Sequence, residues 1–385
     1  MYKIQTMNKI MQQGLDIFKK EKYQVSDTEE NAEAIIVRSA NLLDMEFNKD
    51  LKAIARAGAG YNNIPVDKCT EAGIVVFNTP GANANAVKEL AVAAIIMASR
   101  NIIGAVNWTK TLTKNVAKEV EAGKSPFVGH EVHGKTLGVI GVGATGSLTA
   151  NAGVALGMDV LGYDPYMTVE VAMTLSRSVK RAYDRETLYN KSDYIVLHAL
   201  VTPETTNMIN KASIAQMKDE VYIINLSRAE LVNDDDMAEA LESGKVASYV
   251  TDFPNDKVLK MKNVIPIPHL GASTPESEEN CAFMAVNQII DYLENGNIKN
   301  SVNYPDLSMN RNSNIRICLL HKNVSGIISQ VTSAVSALGI NIENLTNRSK
   351  GENAYTICEM NGELPDGLID KLTKINDITK INVIV

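Results

Sequence analysis

Short runs of apolar residues alternate with longer amphipathic segments over about the first 300 residues of the chain. Runs of roughly four to eight small, β-branched or aromatic residues that end at glycine, proline or polar residues are typical of strands buried on both faces of a parallel sheet. Such runs are found at residues 34–37, 51–56, 73–77, 136–140, 158–163, 192–198 and 221–228. The pattern predicts an α/β architecture in which helices connect parallel strands.

Helical spacing dominates from residue 84 to about residue 120. The apolar residues on one face are Val87, Leu90, Ala91, Ala94, Ile95 and Ala98. The later part of the stretch adds Ile102, Ile103, Val106 and Trp108. This is more apolar surface than one small domain needs, and two interpretations fit it. It is either the subunit interface of a homodimer or homotetramer, or an interdomain helix followed by helices that cover the core.

The chain changes character at residues 300–306, a polar segment with one proline that is typical of a linker. A different order of elements follows: strand 315–320, helix 326–338, strands 340–347 and 354–360, helix 364–372 and strand 381–385. This βαββαβ order over about 70 residues predicts a ferredoxin-like domain.

Composition narrows the classes of partner. Acidic residues outnumber basic ones by 45 to 38, for a formal net charge of −7. Because no run of basic residues is present, we expect neither nucleic acid nor an anionic membrane as a partner. No apolar run approaches the roughly 18 residues of a membrane span, and the N-terminal residues show no apolar signal core. The expected location is the cytoplasm.

The four cysteines are Cys69, Cys281, Cys318 and Cys358. They lie far apart and form no CxxC pair, which argues against a disulfide framework and against a zinc site. We therefore expect buried, reduced thiols and no bound metal.

A glycine-rich turn follows the strand at 136–140. Gly141, Gly143 and Gly146 form the pattern Gly-x-Gly-x-x-Gly, and small apolar residues typical of a packed helix come after them. In a dinucleotide site, the first glycine permits the turn, the second lets a pyrophosphate approach the backbone, and the third lets the helix pack on the strand. The helix N-terminus then offers free N–H groups to the phosphates.

The next strand, at residues 158–163, ends at Asp164, about 20 residues past the glycines. A carboxylate at this position accepts hydrogen bonds from both hydroxyls of the adenosine ribose and repels a 2′-phosphate. The glycines and Asp164 together therefore predict NAD as the cofactor.

Three later strand ends carry Arg228, an aspartate and His269. Since ligands of open α/β sheets bind beyond the carboxyl ends of the strands, we expect these groups at one crevice. Arginine can bind a substrate carboxylate bidentately, histidine can take a hydroxyl proton, and a carboxylate behind the histidine fixes its tautomer and raises its pKa. Taken singly, each residue also fits a structural role: a capping arginine, an aspartate in a turn or a histidine in the core. Together, after a nucleotide-binding fold, they favour hydride chemistry on a hydroxy acid.

Strand ends in the first 85 residues supply the candidate substrate-binding residues Arg38, Arg56 and Asn78. Arg56 stands beside a glycine-rich segment, which suits the capture of an anion. The alternative for either arginine is a surface salt bridge.

Several motifs together resemble the D-isomer-specific 2-hydroxyacid dehydrogenases. They are the segments 138–146 (GVIGVGATG), 164–165 (DP), 225–228 (NLSR) and 268–274 (PHLGAST). The resemblance covers about the first 300 residues. It implies a Rossmann-type NAD-binding domain at 89–274 and a flavodoxin-like split substrate domain at 1–88 with a returning piece at 275–305.

Within the family, the segments 38–40 (RSA), 56–58 (RAG) and 78–80 (NTP) resemble the branch that oxidises 3-phospho-D-glycerate to 3-phosphohydroxypyruvate, the entry step of serine synthesis. That is the activity which the resemblance implies. A glyoxylate or hydroxypyruvate reductase is an alternative within the family. A non-catalytic NAD-sensing protein is the alternative from another class.

The resemblance assigns roles residue by residue. It makes Arg228 the substrate-orienting arginine and His269 the acid and base. The family's third catalytic residue is a glutamate three positions after the phenylalanine of an Asp-x-Phe motif, where this chain has Asp256. Asp256 is thus the expected partner of His269, and Asp252, otherwise expected to bind the nicotinamide amide, is the alternative. The chain also has Ser125 and Pro126 where many relatives have tryptophan, and we assign no role there.

The cofactor contacts that the family pattern implies come from the glycine turn and from later loops. They are Gly141, Gly143, Ala144, Thr145, Gly146, Asp164, Ala199, Leu226, Ser227, Asp252, Gly271 and Ala272.

The segment 321–326 (HKNVSG) resembles the strand-to-helix loop of ACT domains, which bind amino acids between paired domains. The resemblance implies an ACT domain at 312–385 that binds L-serine as an effector through His321, Asn323 and Asn341. That family usually has proline where this chain has Ser325. A purely structural dimerising domain is the alternative.

Overall fold

The computed structural model describes all 385 residues of the chain. They form two compact units: Met1–Asn83 with Glu278–Val385, and Ala84–Ser277. The first unit contains a five-stranded and a four-stranded sheet, and the second contains a seven-stranded sheet.

The N-terminal segment forms a parallel sheet. Its elements are β1 (Tyr2–Met7), α1 (Gln12–Leu15), β2 (Tyr23–Ser26), β3 (Ala34–Val37), β4 (Ala53–Arg56), α2 (Val66–Glu71) and β5 (Val75–Phe77). The strand order β2-β1-β3-β4-β5 is that of flavodoxin-like folds. Each residue of β3 is buried, as its continuous β-branched run predicts.

The unit Ala84–Ser277 is built on a sheet whose seven strands are all parallel. Its elements are α3 (Ala84–Arg100), α4 (Ile102–Thr109), α5 (Val116–Gly123), β6 (Thr136–Ile140), α6 (Ala144–Ala155), β7 (Asp159–Tyr163), α7 (Val169–Ala172), β8 (Lys180–Arg181), α8 (Arg185–Lys191), β9 (Tyr194–Leu197), α9 (Lys211–Ala215), β10 (Val221–Asn225), α10 (Asp234–Ser243), β11 (Val246–Thr251) and β12 (Val264–Pro266). Short 3₁₀ helices lie at Ser125–Phe127, Ala229–Leu231 and Val258–Lys260.

The order β12-β11-β10-β9-β6-β7-β8 confirms the predicted Rossmann-type domain. The chain winds outward from β6 to β8 on one side and from β9 to β12 on the other, so the topological switch point lies between β6 and β9. Successive residues of β9 enter opposite cores, since Ile195 packs in one apolar cluster and Val196 in the other. Burial on both faces explains why the strands are almost wholly apolar.

The predicted helical stretch from 84 to about 120 is divided into α3, α4 and α5. Asn101 and Asn115, which precede α4 and α5, adopt left-handed backbone conformations with φ of +46° and +50°. Asparagine tolerates this conformation better than most residues, which explains the breaks. No single helix is long and apolar enough to cross a membrane, and α3 with α4 reaches that criterion only as a pair bent by 67°.

After α11 (Pro275–Asn295), the chain forms an antiparallel sheet. Its elements are β13 (Ile315–Lys322), α12 (Ile327–Ser336), β14 (Asn344–Lys350), β15 (Asn353–Met360), α13 (Leu368–Thr373) and β16 (Ile378–Ile384). The βαββαβ order and the strand order β14-β15-β13-β16 confirm the ferredoxin-like prediction. The strand predicted at 340–347 begins only at Asn344. Asn344 pairs with Glu359, the second-last residue of β15, so the residues before Asn344 have almost no partner strand left.

A buried ion pair attaches this sheet to the segment before it. Arg316 Nη2 lies 2.6 Å from Glu359 Oε1, and both side chains are 0% exposed. The same guanidinium donates to the carbonyl oxygens of Asn295 and Met309, and Glu359 Oε2 accepts from Asn344 Nδ2 at 3.1 Å. The charges are thus neutralised and hydrogen-bonded, as buried charges must be.

The four cysteines are buried and unpaired, as expected. Burial raises the pKa of Cys69 to about 12 and the pKa values of Cys318 and Cys358 to about 11. These three thiols are therefore neutral at pH 7. No group of three or more histidine, cysteine or acidic side chains is arranged to hold a metal ion.

We expect Arg316→Ala to destabilise the protein by about 3–5 kcal/mol, because it leaves the buried Glu359 carboxylate without a countercharge. The double variant Arg316→Met, Glu359→Leu should recover most of that loss, since neither charge remains. Urea unfolding monitored by circular dichroism measures both. Lys211→Ala, which removes the exposed ion pair with Glu239, is the control and should leave the unfolding midpoint unchanged. Equal stability of Arg316→Ala and the wild type would contradict this account.

A second prediction concerns His198, which follows β9 and is hydrogen-bonded through Nε2 to Thr149 Oγ1 of α6 at 2.9 Å. Burial lowers the pKa of His198 to about 4. Because the unfolded chain then binds the proton more tightly, this histidine contributes stability above about pH 6.5 that is lost as the pH falls towards 4. The expected loss is up to about 3 kcal/mol.

Denaturant unfolding between pH 4 and pH 7 measures this dependence. His198→Asn should reduce the slope of unfolding free energy against pH in that window. His133→Asn, at an exposed histidine of the same unit, should retain it. A slope that both variants leave unchanged would show that His198 does not carry the pH dependence.

Candidate active site

The glycine turn after β6 has the geometry of a dinucleotide site. Gly141 has φ of +87°, and a Cβ atom there would lie 2.5 Å from the carbonyl oxygen of His198. A Cβ at Gly146 would collide with the carbonyl oxygen of Gly141, whereas one at Gly143 would meet no atom within 4 Å. The first and third glycines are therefore needed for the turn and for helix packing, and the second leaves an open approach to the backbone.

Helix α6 begins directly at this turn. Its N-cap is Gly143, and no side chain caps its first N–H groups. Ala144 is exposed and Thr145 is partly exposed. Uncapped N–H groups at the positive end of a helix dipole form a site for phosphate groups. The residues present therefore fit the pyrophosphate of a dinucleotide.

Asp164 follows β7 and is held against the glycine turn. Its Oδ2 accepts from the backbone N–H of Val142 at 2.8 Å, and its Oδ1 accepts from that of Tyr166 at 2.8 Å. The carboxylate is thus fixed at the end of the strand next to the turn, where the ribose hydroxyls of a dinucleotide are bound in this fold.

Other predicted cofactor residues lie at the ends of β9 and β10. Ala199 is partly exposed two residues after β9. Leu226 is buried, and the hydroxyl of Ser227 donates to the carbonyl oxygen of Leu197 at 2.7 Å. These residues follow two adjacent strands, the first of which borders the switch point.

Arg228 is positioned by a residue that the sequence analysis gave no role. Asn225, the buried last residue of β10, donates through Nδ2 to the carbonyl oxygen of Arg228 at 2.8 Å and accepts from the N–H of Ser227 at 3.2 Å. The Arg228 side chain is exposed, and its Nη1 donates to the carbonyl oxygen of Ser227 at 2.7 Å. The loop is therefore rigid, while the other guanidinium nitrogens make no hydrogen bond within the chain.

Asp252 is the first residue after β11 and is 1% exposed. Its Oδ2 accepts from the backbone N–H of Gly271 at 3.0 Å, and its Oδ1 is buried without a hydrogen-bond partner. Burial raises the pKa of Asp252, and the Gly271 N–H together with the positive charges of His269 and Arg228 opposes that rise. The carboxylate is thus electrostatically coupled to both predicted catalytic side chains.

His269 lies in the loop after β12 and is exposed. Its ring is 4.7 Å from the ring of Phe253, centroid to centroid, at an angle of 48°. Phe253 therefore supports the imidazole, a role that the sequence analysis did not assign. The clue in the sequence was an aromatic residue directly after an aspartate at a strand end.

The structure does not bring Asp256 against His269. Asp256 is exposed and makes no hydrogen bond with the imidazole. Its neighbours Asn255 and Lys257 bind Asp234 and Asp235 of α10. The geometry therefore favours Asp252 as the acidic group beside His269, and the role of Asp256 stays a prediction.

Two of the predicted substrate residues lie at the ends of β3 and β4. Arg38 Nη2 forms an ion pair with Glu278 Oε1 at 2.7 Å, which is the salt-bridge alternative raised for it. Arg56 Nε donates to the carbonyl oxygen of Arg38 at 3.1 Å.

Asn78 follows β5. It donates through Nδ2 to the carbonyl oxygen of Ala59 at 2.6 Å, and its own carbonyl oxygen accepts from Gln288 Nε2 at 3.1 Å. Arg38, Arg56 and Asn78 therefore lie in neighbouring loops at one edge of the five-stranded sheet.

The three predicted effector residues each bind other partners. His321 is 3% exposed, with Nδ1 bonded to the carbonyl oxygen of Lys322 and Nε2 to Thr356 Oγ1. Asn323 donates to the carbonyl oxygen of Gly351 at 3.1 Å, and Asn341 donates to Glu343 Oε1 at 3.0 Å. Both ring nitrogens of His321 are thus occupied within the sheet.

Comparison with known proteins connects this geometry to a family. The model of the NAD-binding domain of D-isomer-specific 2-hydroxyacid dehydrogenases matches residues 92–271. A D-3-phosphoglycerate dehydrogenase of Synechocystis is 32% identical over 98% of this chain and 70% of its own length. A hydroxypyruvate reductase of Thermotoga maritima is 38% identical over 68% of this chain and 85% of its own length.

Among solved structures, an NAD⁺-bound 3-phosphoglycerate dehydrogenase of Entamoeba histolytica matches with a TM-score of 0.61 and 26% identity, over 78% of this chain and 98% of that chain. The chain spans about half the length of two archaeal relatives that it also matches, 57% and 52%. The matched domain, the glycine turn and Asp164 confirm NAD as the cofactor. The chain belongs to the D-isomer-specific 2-hydroxyacid dehydrogenase family.

Proposed function

We propose that this protein oxidises 3-phospho-D-glycerate to 3-phosphohydroxypyruvate with NAD⁺, the first step of L-serine synthesis. The observation that carries the proposal is the grouping of Arg228, Asp252 and His269 at the strand ends of an NAD-binding sheet. The D-3-phosphoglycerate dehydrogenase of Synechocystis, which this chain matches over 98% of its length, supports the choice of substrate.

In the proposed mechanism, Arg228 binds the substrate carboxylate bidentately and orients C2. His269 takes the proton of the C2 hydroxyl as the C2–H hydride leaves, so that the C–O bond becomes a carbonyl. Bound NAD⁺ supplies the hydride acceptor. The negative charge of Asp252 stabilises the imidazolium that forms on His269, and Phe253 holds the ring in place.

The phosphate end of the substrate needs a further cation, and Arg56 is our candidate. It ends the otherwise buried strand β4, two residues before Gly58, whose Cβ position would overlap the Arg56 guanidinium. Arg38 is a second candidate, and its Nη2 forms an ion pair with Glu278.

A hydroxypyruvate reductase is the second candidate, favoured by the 38% identity to the Thermotoga maritima enzyme. That reaction requires no phosphate site. Rates of NADH formation from 3-phosphoglycerate and from unphosphorylated D-glycerate separate the two functions. We expect a kcat/KM at least about a hundredfold higher for the phosphorylated substrate, the effect of two charged hydrogen bonds. A preference for D-glycerate would support the reductase.

A non-catalytic NAD-sensing role is the remaining alternative, and the presence of Arg228 and His269 argues against it. Turnover of neither substrate, with NADH binding retained, would favour it. L-serine remains a predicted effector, and the same assay with and without saturating L-serine tests it.

We expect His269→Gln to lower kcat by about 10²- to 10⁴-fold, because the hydroxyl proton then has no positioned base. NADH binding, measured by fluorescence titration, should be retained because the glycine turn and Asp164 are intact. A variant with near-normal kcat would exclude His269 as the base.

Paired variants identify the acidic partner of His269. We expect Asp252→Asn to lower kcat more than Asp256→Asn does, because the charge of His269 acts on the buried Asp252 carboxyl, whereas the exposed Asp256 makes no hydrogen bond with the imidazole. Steady-state kinetics of both variants, with circular dichroism as a check on folding, provide the comparison. A larger loss in Asp256→Asn would instead support the role that the family pattern implies for Asp256.

We also propose that the protein is a homodimer that pairs through α4. None of its residues is buried. Three of them, Ile102, Ile103 and Val106, are large apolar residues that are 40%, 41% and 44% exposed. Contiguous exposed apolar side chains of this kind mark protein interfaces.

Ile103→Glu should therefore convert the dimer to monomers, as measured by light scattering after size-exclusion chromatography. Val169→Glu, at an equally apolar residue that is 72% exposed, is the control and should not change the mass. A monomeric wild-type protein would contradict the proposed dimer.

A further inference from the structure

A cavity in the first unit contains none of Arg228, Asp252 and His269, the residues of the proposed reaction. It has a volume of 630 Å³ and lies between the loops after β4 and β5, the linker after α11 and the edge strand β14. Its lining includes Tyr61, Asn78, Ser301, Asp306, Arg348 and Lys350. The volume is within the range of small-molecule sites, about 300–1,000 Å³.

The edge strand supplies two cations to this cavity. Arg348 and Lys350 are two residues apart on β14, so their side chains leave the same face of the strand. Arg348 is exposed and makes no ion pair or hydrogen bond. Asp306, another lining residue, also has no ion-pair partner. The cavity therefore contains an unpaired guanidinium, which is suited to bind a carboxylate or a phosphate group bidentately.

The lining residues Ser301 and Val302 are fixed by backbone contacts with β5. Ser301 forms an antiparallel bridge with Phe77, and the N–H of Val302 donates to the carbonyl oxygen of Val76 at 2.9 Å. Lys350 Nζ donates to the carbonyl oxygen of Ser301 at 2.8 Å. These contacts hold Ser301, Val302 and Lys350 before any ligand arrives, whereas the exposed Arg348 side chain must become ordered on binding.

We propose that this cavity is a second, regulatory site for a small organic anion with a carboxylate or phosphate group. Arg348 and Lys350 bind the acidic group, and Asp306 accepts a hydrogen bond from a hydroxyl or ammonium group of the same ligand. The two cations exceed the one carboxylate, so a ligand with net negative charge is favoured. This site is distinct from the predicted effector residues, of which His321 is buried and fully bonded.

The cavity is connected to the predicted substrate loops. Asn78 lines it and donates to the carbonyl oxygen of Ala59 at 2.6 Å, and Tyr61 lies two residues further along the same loop. This loop directly follows Arg56. A bound anion therefore contacts the segment that carries the candidate phosphate ligand, and we expect it to change KM more than kcat. This kinetic consequence rests on the proposed function, whereas binding of the anion does not.

Isothermal titration calorimetry of the full chain with NADH present tests the site. The probes are inorganic phosphate and malonate, and an Arg56→Gln, Arg228→Gln background removes both candidate anion ligands of the active site. We expect saturable binding of at least one probe, weakened about tenfold or more by Arg348→Gln, the effect of losing a charged hydrogen bond. The probe that binds more tightly identifies the preferred acidic group.

Lys350→Gln should weaken binding in the same direction. Lys374→Gln, at an exposed lysine of the same domain outside the cavity, is the control and should bind like the parent protein. An unchanged circular dichroism spectrum and thermal unfolding midpoint in every variant show that each is folded. No saturable binding of either probe, or equal weakening by Lys374→Gln, overturns the proposal. Anion binding in these titrations, together with no oxidation of 3-phosphoglycerate by the wild-type protein, would contradict the proposed function alone.

Discussion

The candidate active site depends on the register of three parallel strands. Asn225 of β10 pairs with Thr251 of β11, and Thr251 pairs with Pro266 of β12. Because the strands run in the same direction and end at the same level, the residues that follow them emerge at one edge of the sheet. This register brings Arg228, Asp252 and His269 to one place, although more than 40 residues separate the first from the last. A slip of one residue in β11 would turn Asp252 to the other face.

The buried carboxylate of Asp252 is the least favourable feature of this arrangement. One of its oxygens has no hydrogen-bond partner, and burial raises its pKa. A carboxylate in such a place persists only where other groups compensate for its desolvation, here the Gly271 N–H and the charges of Arg228 and His269. The same coupling makes the group useful, since a negative charge fixed beside an imidazole favours the proton that the imidazole receives.

The sequence predicted features that depend on local chain geometry. The glycines, Asp164, Arg228 and His269 could be located because a turn or a strand end identifies each of them. The family pattern favoured Asp256 over Asp252, and the sequence does not show which of the two side chains is buried at the end of β11. The burial of His321 could not be predicted for a related reason. This residue ends the apolar run of β13, and the pairing of β13 with β15 places its ring beside Thr356 within the sheet. The helical stretch breaks at Asn101 because this residue adopts a left-handed backbone conformation. Composition does not reveal such a conformation.

The ferredoxin-like sheet is attached to the five-stranded sheet at both of its edges. On the β14 edge, Lys350 binds the carbonyl oxygen of Ser301, and on the β16 edge, Lys380 Nζ donates to the carbonyl oxygen of Leu51 at 2.6 Å. The buried Arg316 joins the sheet to α11 between them. A domain bound at three places cannot act as a loosely tethered module. A ligand on its edge strand can influence the substrate loops only through contacts shared with them, and Asn78 supplies such a contact because it belongs to both the cavity and the loop that follows Arg56.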